Sequence, residues 1–169
     1  IRALYLSAIW FALSLFATLI MGSRLRRRDS TLSLLWLSGI IFIGDIFALF
    51  TFGRFFEIFG LSWLVFAFGL YWITRLRDWN APGQVTWAMA LMTTGLFILY
   101  TFLLTAFSPL NALSFIFALL FFFLEAITLL LALAHMHESL DVVCRIQWHR
   151  LLDKLEPIPN YQPMVSLQV

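Results

Sequence analysis

Along the 169 residues, apolar positions do not alternate with polar ones; they continue in blocks of about twenty, broken by short clusters of arginine, proline and glycine. A membrane-spanning helix needs about 20 mostly apolar residues at a rise of about 1.5 Å each. Five blocks meet that length: residues 1–21, 31–52, 55–74, 85–107 and 112–134. The third is the weakest, because Arg54 and Glu57 stand at its mouth. Between the blocks lie "RLRRRDS", "RLRDWNAPGQ" and the tight "SPLN", whose charges, Pro and Gly mark loops. Continuous apolar runs predict helices; the strands of a membrane barrel would alternate over about ten residues. There is no internal repeat and no GxxxG packing motif. The pattern therefore counts helices without saying how they pack.

Composition turns this pattern into a solvent. Hydrophobic residues make up 62% and charged residues 12% of the chain, against roughly 25% charged in an ordinary soluble domain. A soluble fold of this length could not hide so much apolar surface, so the expected class is an all-α integral membrane protein whose first partner is the lipid bilayer. The net charge of +2 is too small to argue for nucleic acid. One cysteine, Cys144, rules out a disulfide within the chain. The first block lacks a basic leader and a small-residue cleavage site, and reads as a retained helix.

Charge then sets orientation. With five crossings, Arg24, Arg26, Arg27, Arg28, Arg75, Arg77, Arg145, Arg150 and Lys154 fall on one side, nine of the eleven basic residues, while Arg2 and Arg54 fall on the other. The positive-inside rule makes the first side cytoplasmic. The expectation is a multi-pass protein of the cell membrane with its N-terminus outside and its C-terminus in the cytoplasm.

After residue 134 the pattern changes. Leu140, Val143, Cys144, Trp148, Leu151, Leu152 and Leu155 share a broad helical face, with Glu138, Arg145, His149 and Asp153 opposite. Residues 135–156 therefore predict a cytoplasmic amphipathic helix lying at the interface, anchored by Trp148, Arg145 and Arg150. Asp141 and Arg145 form an attractive i,i+4 pair worth a few tenths of a kcal/mol. "PIPNYQP" then forces extended chain, and "MVSLQV" has strand spacing, so residues 157–169 read as a stiff linker and a terminal extended segment. The domain plan is 1–134 in the membrane, 135–156 at its surface and 157–169 beyond.

A cytoplasmic helix carrying "ESLDVVCRIQWHR", a Pro-rich linker with Tyr161 and Pro163, and the strand "VSLQV" together resemble the approach to the catalytic domain of bacterial membrane-bound family 2 glycosyltransferases. The resemblance covers residues 135–169 and implies that Val165 to Val169 match the first strand of a nucleotide-binding α/β domain. It implies a divalent metal and a nucleotide sugar as cofactor and donor of that domain. This sequence has no DxD motif to hold them, so no catalytic, cofactor-binding or metal-binding residue is assigned within it.

Besides Glu57 at the mouth of the third block, two carboxylates stand within the apolar blocks, Asp45 in the second and Glu125 in the fifth. Such groups are costly in hydrocarbon and usually turn inward to a partner. They are candidates for an intramembrane polar path or for helix-packing contacts, with Thr93, Thr94 or Thr128 as hydroxyl partners. His135 and His137 point about 200° apart on a helix and do not converge on one ion. The functional expectation is a membrane anchor that positions a cytosolic catalytic domain and contributes to an acceptor or polymer path. The alternative is a non-catalytic accessory or scaffold subunit of a larger membrane complex, energy-transducing or light-harvesting, with other membrane subunits as partners.

Overall fold

In a computed structural model, the described residues are 2–22, 24–25, 30–52, 55–76 and 78–146, the side chains of 30, 52 and 55–57 excepted. They form five helices: α1 Arg2–Met21, α2 Ser30–Phe52, α3 Phe55–Arg75, α4 Ala81–Phe107 and α5 Ala112–Cys144. All five are long and apolar enough to cross a membrane, the mark of a multi-pass membrane protein. Helices suit that solvent because each backbone N–H and C=O is paired within its own segment.

Helix α4 is the hub. It packs against each of the other four helices, whereas α5 packs chiefly on α4. Every residue from Ala81 to Ala90 is buried, so the first ten residues of α4 are enclosed on all sides. The second half leaves that enclosure and pairs with the start of α5, where Phe102 and Phe122 meet at 5.8 Å between ring centroids. The α5 surface along this stretch stays open, with Ile116, Leu120, Phe121, Leu124 and Ile127 all exposed.

Small polar residues bring α1 onto α4. Ser7, Ser14 and Thr18 are buried along one side of α1. Thr93 Oγ1 donates to Ser7 O at 3.0 Å, Thr86 Oγ1 to Ser14 O at 2.9 Å, and the hydroxyls of Thr18 and Thr86 lie 2.6 Å apart. As the α1 numbers rise the α4 numbers fall, so the two helices are antiparallel. Short hydroxyl side chains let backbones approach and bond across, a contribution averaging about 0.6 kcal/mol per interhelical bond in a membrane. The packing signal that a search for GxxxG misses lies in this serine and threonine stripe.

On the other flank of α1, Trp10 lies over Gly44 of α2. A Cβ at Gly44 would fall 2.3 Å from Trp10 Cδ1, so the indole occupies space that only glycine leaves. Around this contact Leu6, Trp10, Leu37, Ile40, Val65, Val85 and Met89 form the main core.

Two boundaries differ from the pattern in the sequence. Helix α4 begins at Ala81, four residues before the first expected position, because Asn80 caps it and Pro82 sits in its first turn, where a missing N–H costs nothing. The Pro and Gly of "NAPGQ" are a helix start and not only loop punctuation. The larger difference is in α5, which runs unbroken through residues 135–144, so this polar segment forms the last turns of the fifth helix and not the opening of a separate one. At 33 residues α5 is roughly 50 Å long, against a hydrocarbon core of about 30 Å. It stops at Cys144, with Arg145 extended at φ −66° and ψ 128°. The remainder of the expected surface helix, with Trp148 and Arg150, and the extended segment 157–169 lie outside the described residues.

Candidate functional site: the joint at the end of α5

The end of α5 is fastened to the loop between α3 and α4. Trp79 and Arg145 form an antiparallel bridge. Asn80 N donates to Cys144 O at 2.9 Å, and Ile146 N donates to Asp78 O at 2.9 Å. The last carbonyls of a helix have no partner within it; here the loop supplies one, and in doing so directs the chain that leaves α5.

Asn80 organises the joint. Its Oδ1 accepts from Gly83 N at 3.1 Å, the N-cap bond of α4, and its Nδ2 donates to Gly22 O at the end of α1. This one buried residue thus ties three helix ends together, α4 and α1 through its side chain and α5 through its backbone N–H. Gln84, a turn later, donates through Nε2 to Leu76 O at 2.6 Å and Trp79 O at 3.0 Å, holding the loop against α4. Gly83 permits the crossing: a Cβ there would lie 2.5 Å from Cys144 Cβ and 2.9 Å from its sulfur.

The side chains of α5 close the joint from below. Asp141 Oδ1 accepts from Trp79 Nε1 at 2.7 Å and from Arg145 Nε at 2.9 Å, while its Oδ2 lies 2.9 Å from Arg145 Nη2. The fork-on-carboxylate geometry and partial burial make this stronger than the isolated i,i+4 pair read from the sequence. His137 rests on two indoles, its ring centroid 4.9 Å from Trp79 and 5.0 Å from Trp87. His135 faces away and lies 3.8 Å from Glu138, both exposed. The two histidines do diverge, as their spacing requires.

The two intramembrane carboxylates are not brought together. Asp45 Oδ2 accepts from Ser62 Oγ of α3 at 2.7 Å. Two of the three expected threonines are occupied elsewhere: Thr93 bonds Ser7 O, and Thr128 bonds Leu124 O. Trp10 is the other polar neighbour of the Asp45 carboxyl, but its N–H is directed at Ile41 O, 3.4 Å away. Asp45 Oδ1 is buried with no hydrogen-bond partner among the described residues. Glu125 is half-buried on α5 and does not line the Asp45 cleft.

No group of three or more His, Cys, Asp or Glu side chains that could hold a metal occurs among the described residues. Arg145, expected as an interfacial anchor, is a member of the joint through its pair with Asp141. Sequence reasoning missed Trp79, Asn80 and Gln84. The capping signature Asn80-Ala81-Pro82 could have revealed one of them, but the partners of all three lie about 60 residues away or in a loop without periodicity.

No family model, curated protein or solved structure matches this chain.

Proposed function

We propose that this chain is a membrane anchor that delivers the polypeptide leaving α5 to one face of the bilayer in a fixed position, as the membrane region of a family 2 glycosyltransferase would for its catalytic domain. The observation that supports it is the clamp on α5: the bridge from Trp79 to Arg145, flanked by the bonds Asn80 N to Cys144 O and Ile146 N to Asp78 O. A helix that merely ended at a surface would not have its exit strand paired to a neighbouring loop. Arg2 at the start of α1 and Cys144 at the end of α5 sit at opposite ends of the bundle, as five crossings require, and the arginine distribution makes the α5 end cytoplasmic. Nucleotide sugars are found on that side.

Two measurements test this reading. The polypeptide purified from its own cells should exceed 19.6 kDa and hydrolyse a sugar nucleotide in the presence of Mn²⁺. A mass near that value, with no such activity, sinks it. For sidedness, Glu138→Cys in a Cys144→Ser background places a thiol at an exposed site. An impermeant maleimide should reach it only after the cytoplasmic face is opened, and labelling from outside intact cells would refute the orientation.

The second reading, a non-catalytic scaffold subunit, is favoured by the open hairpin of α4 and α5. Leu113, Ile116, Phe117, Leu120, Phe121 and Leu124 are exposed around α5, a surface as suited to a neighbouring subunit as to lipid. Copurification with a constant set of membrane proteins would select this reading.

A further inference from the structure

A cleft of about 410 Å³ lies between α2 and α3 around Asp45, within the size range of small-ligand sites. Its mouth opens sideways: Phe42, Phe59 and Trp63 line it and are more than half exposed. Ser38, Asp45 and Ser62 supply the polar groups of an otherwise apolar lining. We propose that this cleft binds a membrane lipid through a free hydroxyl, with the hydroxyl on Asp45 and the hydrocarbon chain along the aromatic wall.

Depth, hydrogen-bond supply and access all lead to that ligand. Asp45 is seven residues from the end of α2, and Ser62 is seven residues from the start of α3, so both lie roughly 10 Å inside their helix ends. A charged headgroup would be costly at that depth, whereas a single hydroxyl is not. Ser62 Oγ lies 2.7 Å from Asp45 Oδ2 and 2.8 Å from Ile58 O, and Ser62 and Asp45 both line the cleft. A hydroxyl both donates and accepts, so it satisfies a carboxylate or a carboxylic acid alike. The lateral mouth admits a molecule from the bilayer and not from water. This assignment does not depend on the glycosyltransferase reading.

The test uses the intact protein in phosphatidylcholine nanodiscs containing a photoreactive long-chain alcohol, or its methyl ether of equal length, with the labelled peptides mapped by mass spectrometry. The alcohol should label α2 and α3 about five- to tenfold more than the ether, the factor one buried hydrogen bond supplies. Asp45→Leu should bring alcohol labelling down to the ether level, and Ser38→Phe, which fills the cleft without touching the carboxyl, should lower both. Equal labelling by alcohol and ether, labelling unchanged in Ser38→Phe, or a label concentrated on the α4–α5 hairpin would overturn the proposal. If Asp45→Leu does not fold, the alcohol-to-ether ratio and Ser38→Phe decide the matter.

Discussion

Replacing Asn80 with alanine should cost this protein more than any single apolar truncation on its exposed faces. The side chain performs two tasks. Its Oδ1 caps α4 through Gly83 N, and its Nδ2 covers Gly22 O at the end of α1. Loss of an N-cap costs about 1 kcal/mol, within a range of about 0.5–2. Withdrawing a donor from a buried carbonyl adds about 1–3 kcal/mol, and Asn80 itself is 1% exposed, so water does not readily replace it. The sum is about 3 kcal/mol, roughly a hundredfold in the folding equilibrium. Reversible unfolding in mixed micelles, followed by helix content, measures it. Asn80→Ser separates the two tasks, because serine caps α4 but is too short to reach Gly22; it should recover about 1 kcal/mol of the loss. A change below about 0.5 kcal/mol for Asn80→Ala would refute the claim that this side chain ties the ends of α1 and α4 together. Full recovery by serine would show that only the cap matters.

The joint makes further demands. Gly83→Ala would press a methyl group against Cys144 at 2.5 Å and should cost about 1–3 kcal/mol by overpacking, with Cys144→Gly restoring most of it in the same unfolding assay. Cys144 is 1% exposed, so a permeant maleimide should label it slowly in the folded protein and markedly faster in Gly83→Ala; equal rates would mean that α5 does not pack there. Thr86→Val removes the bonds to Ser14 O and Thr18 Oγ1 while keeping shape, and should lower stability by about 0.6–2 kcal/mol, with no change in the spacing of α2 and α3 measured by spin labels. Trp79→Phe keeps the aromatic contact with His137 but withdraws the N–H from Asp141. Arg145 continues to neutralise that carboxylate, so the loss should be about 1 kcal/mol.

Some of this molecule could be read in one dimension. The number of spans follows from block length, because hydrocarbon solvent demands about twenty apolar residues per crossing whatever the helices do next. The odd count of five follows too, and with it the separation of Arg2 from Cys144. The hub role of α4 could not be read that way. In water an amphipathic stripe shows which face is buried, but in lipid both the buried and the outward faces are apolar, so periodicity loses its meaning. Ser7, Ser14 and Thr18 carried the packing information in size and hydroxyl chemistry. Polar character after residue 134 was equally ambiguous, since a helix leaving the bilayer and one lying on it both turn polar at that point. Tertiary contacts decided between them: Cys144 meets Gly83, and its carbonyl meets Asn80, so α5 rises through its polar turns and ends where the loop receives it. Asp45 and Glu125 look equivalent in the sequence because each is one acid in an apolar block; only the three-dimensional packing set Ser62 and a cleft beside the first, a cleft that Glu125 does not line.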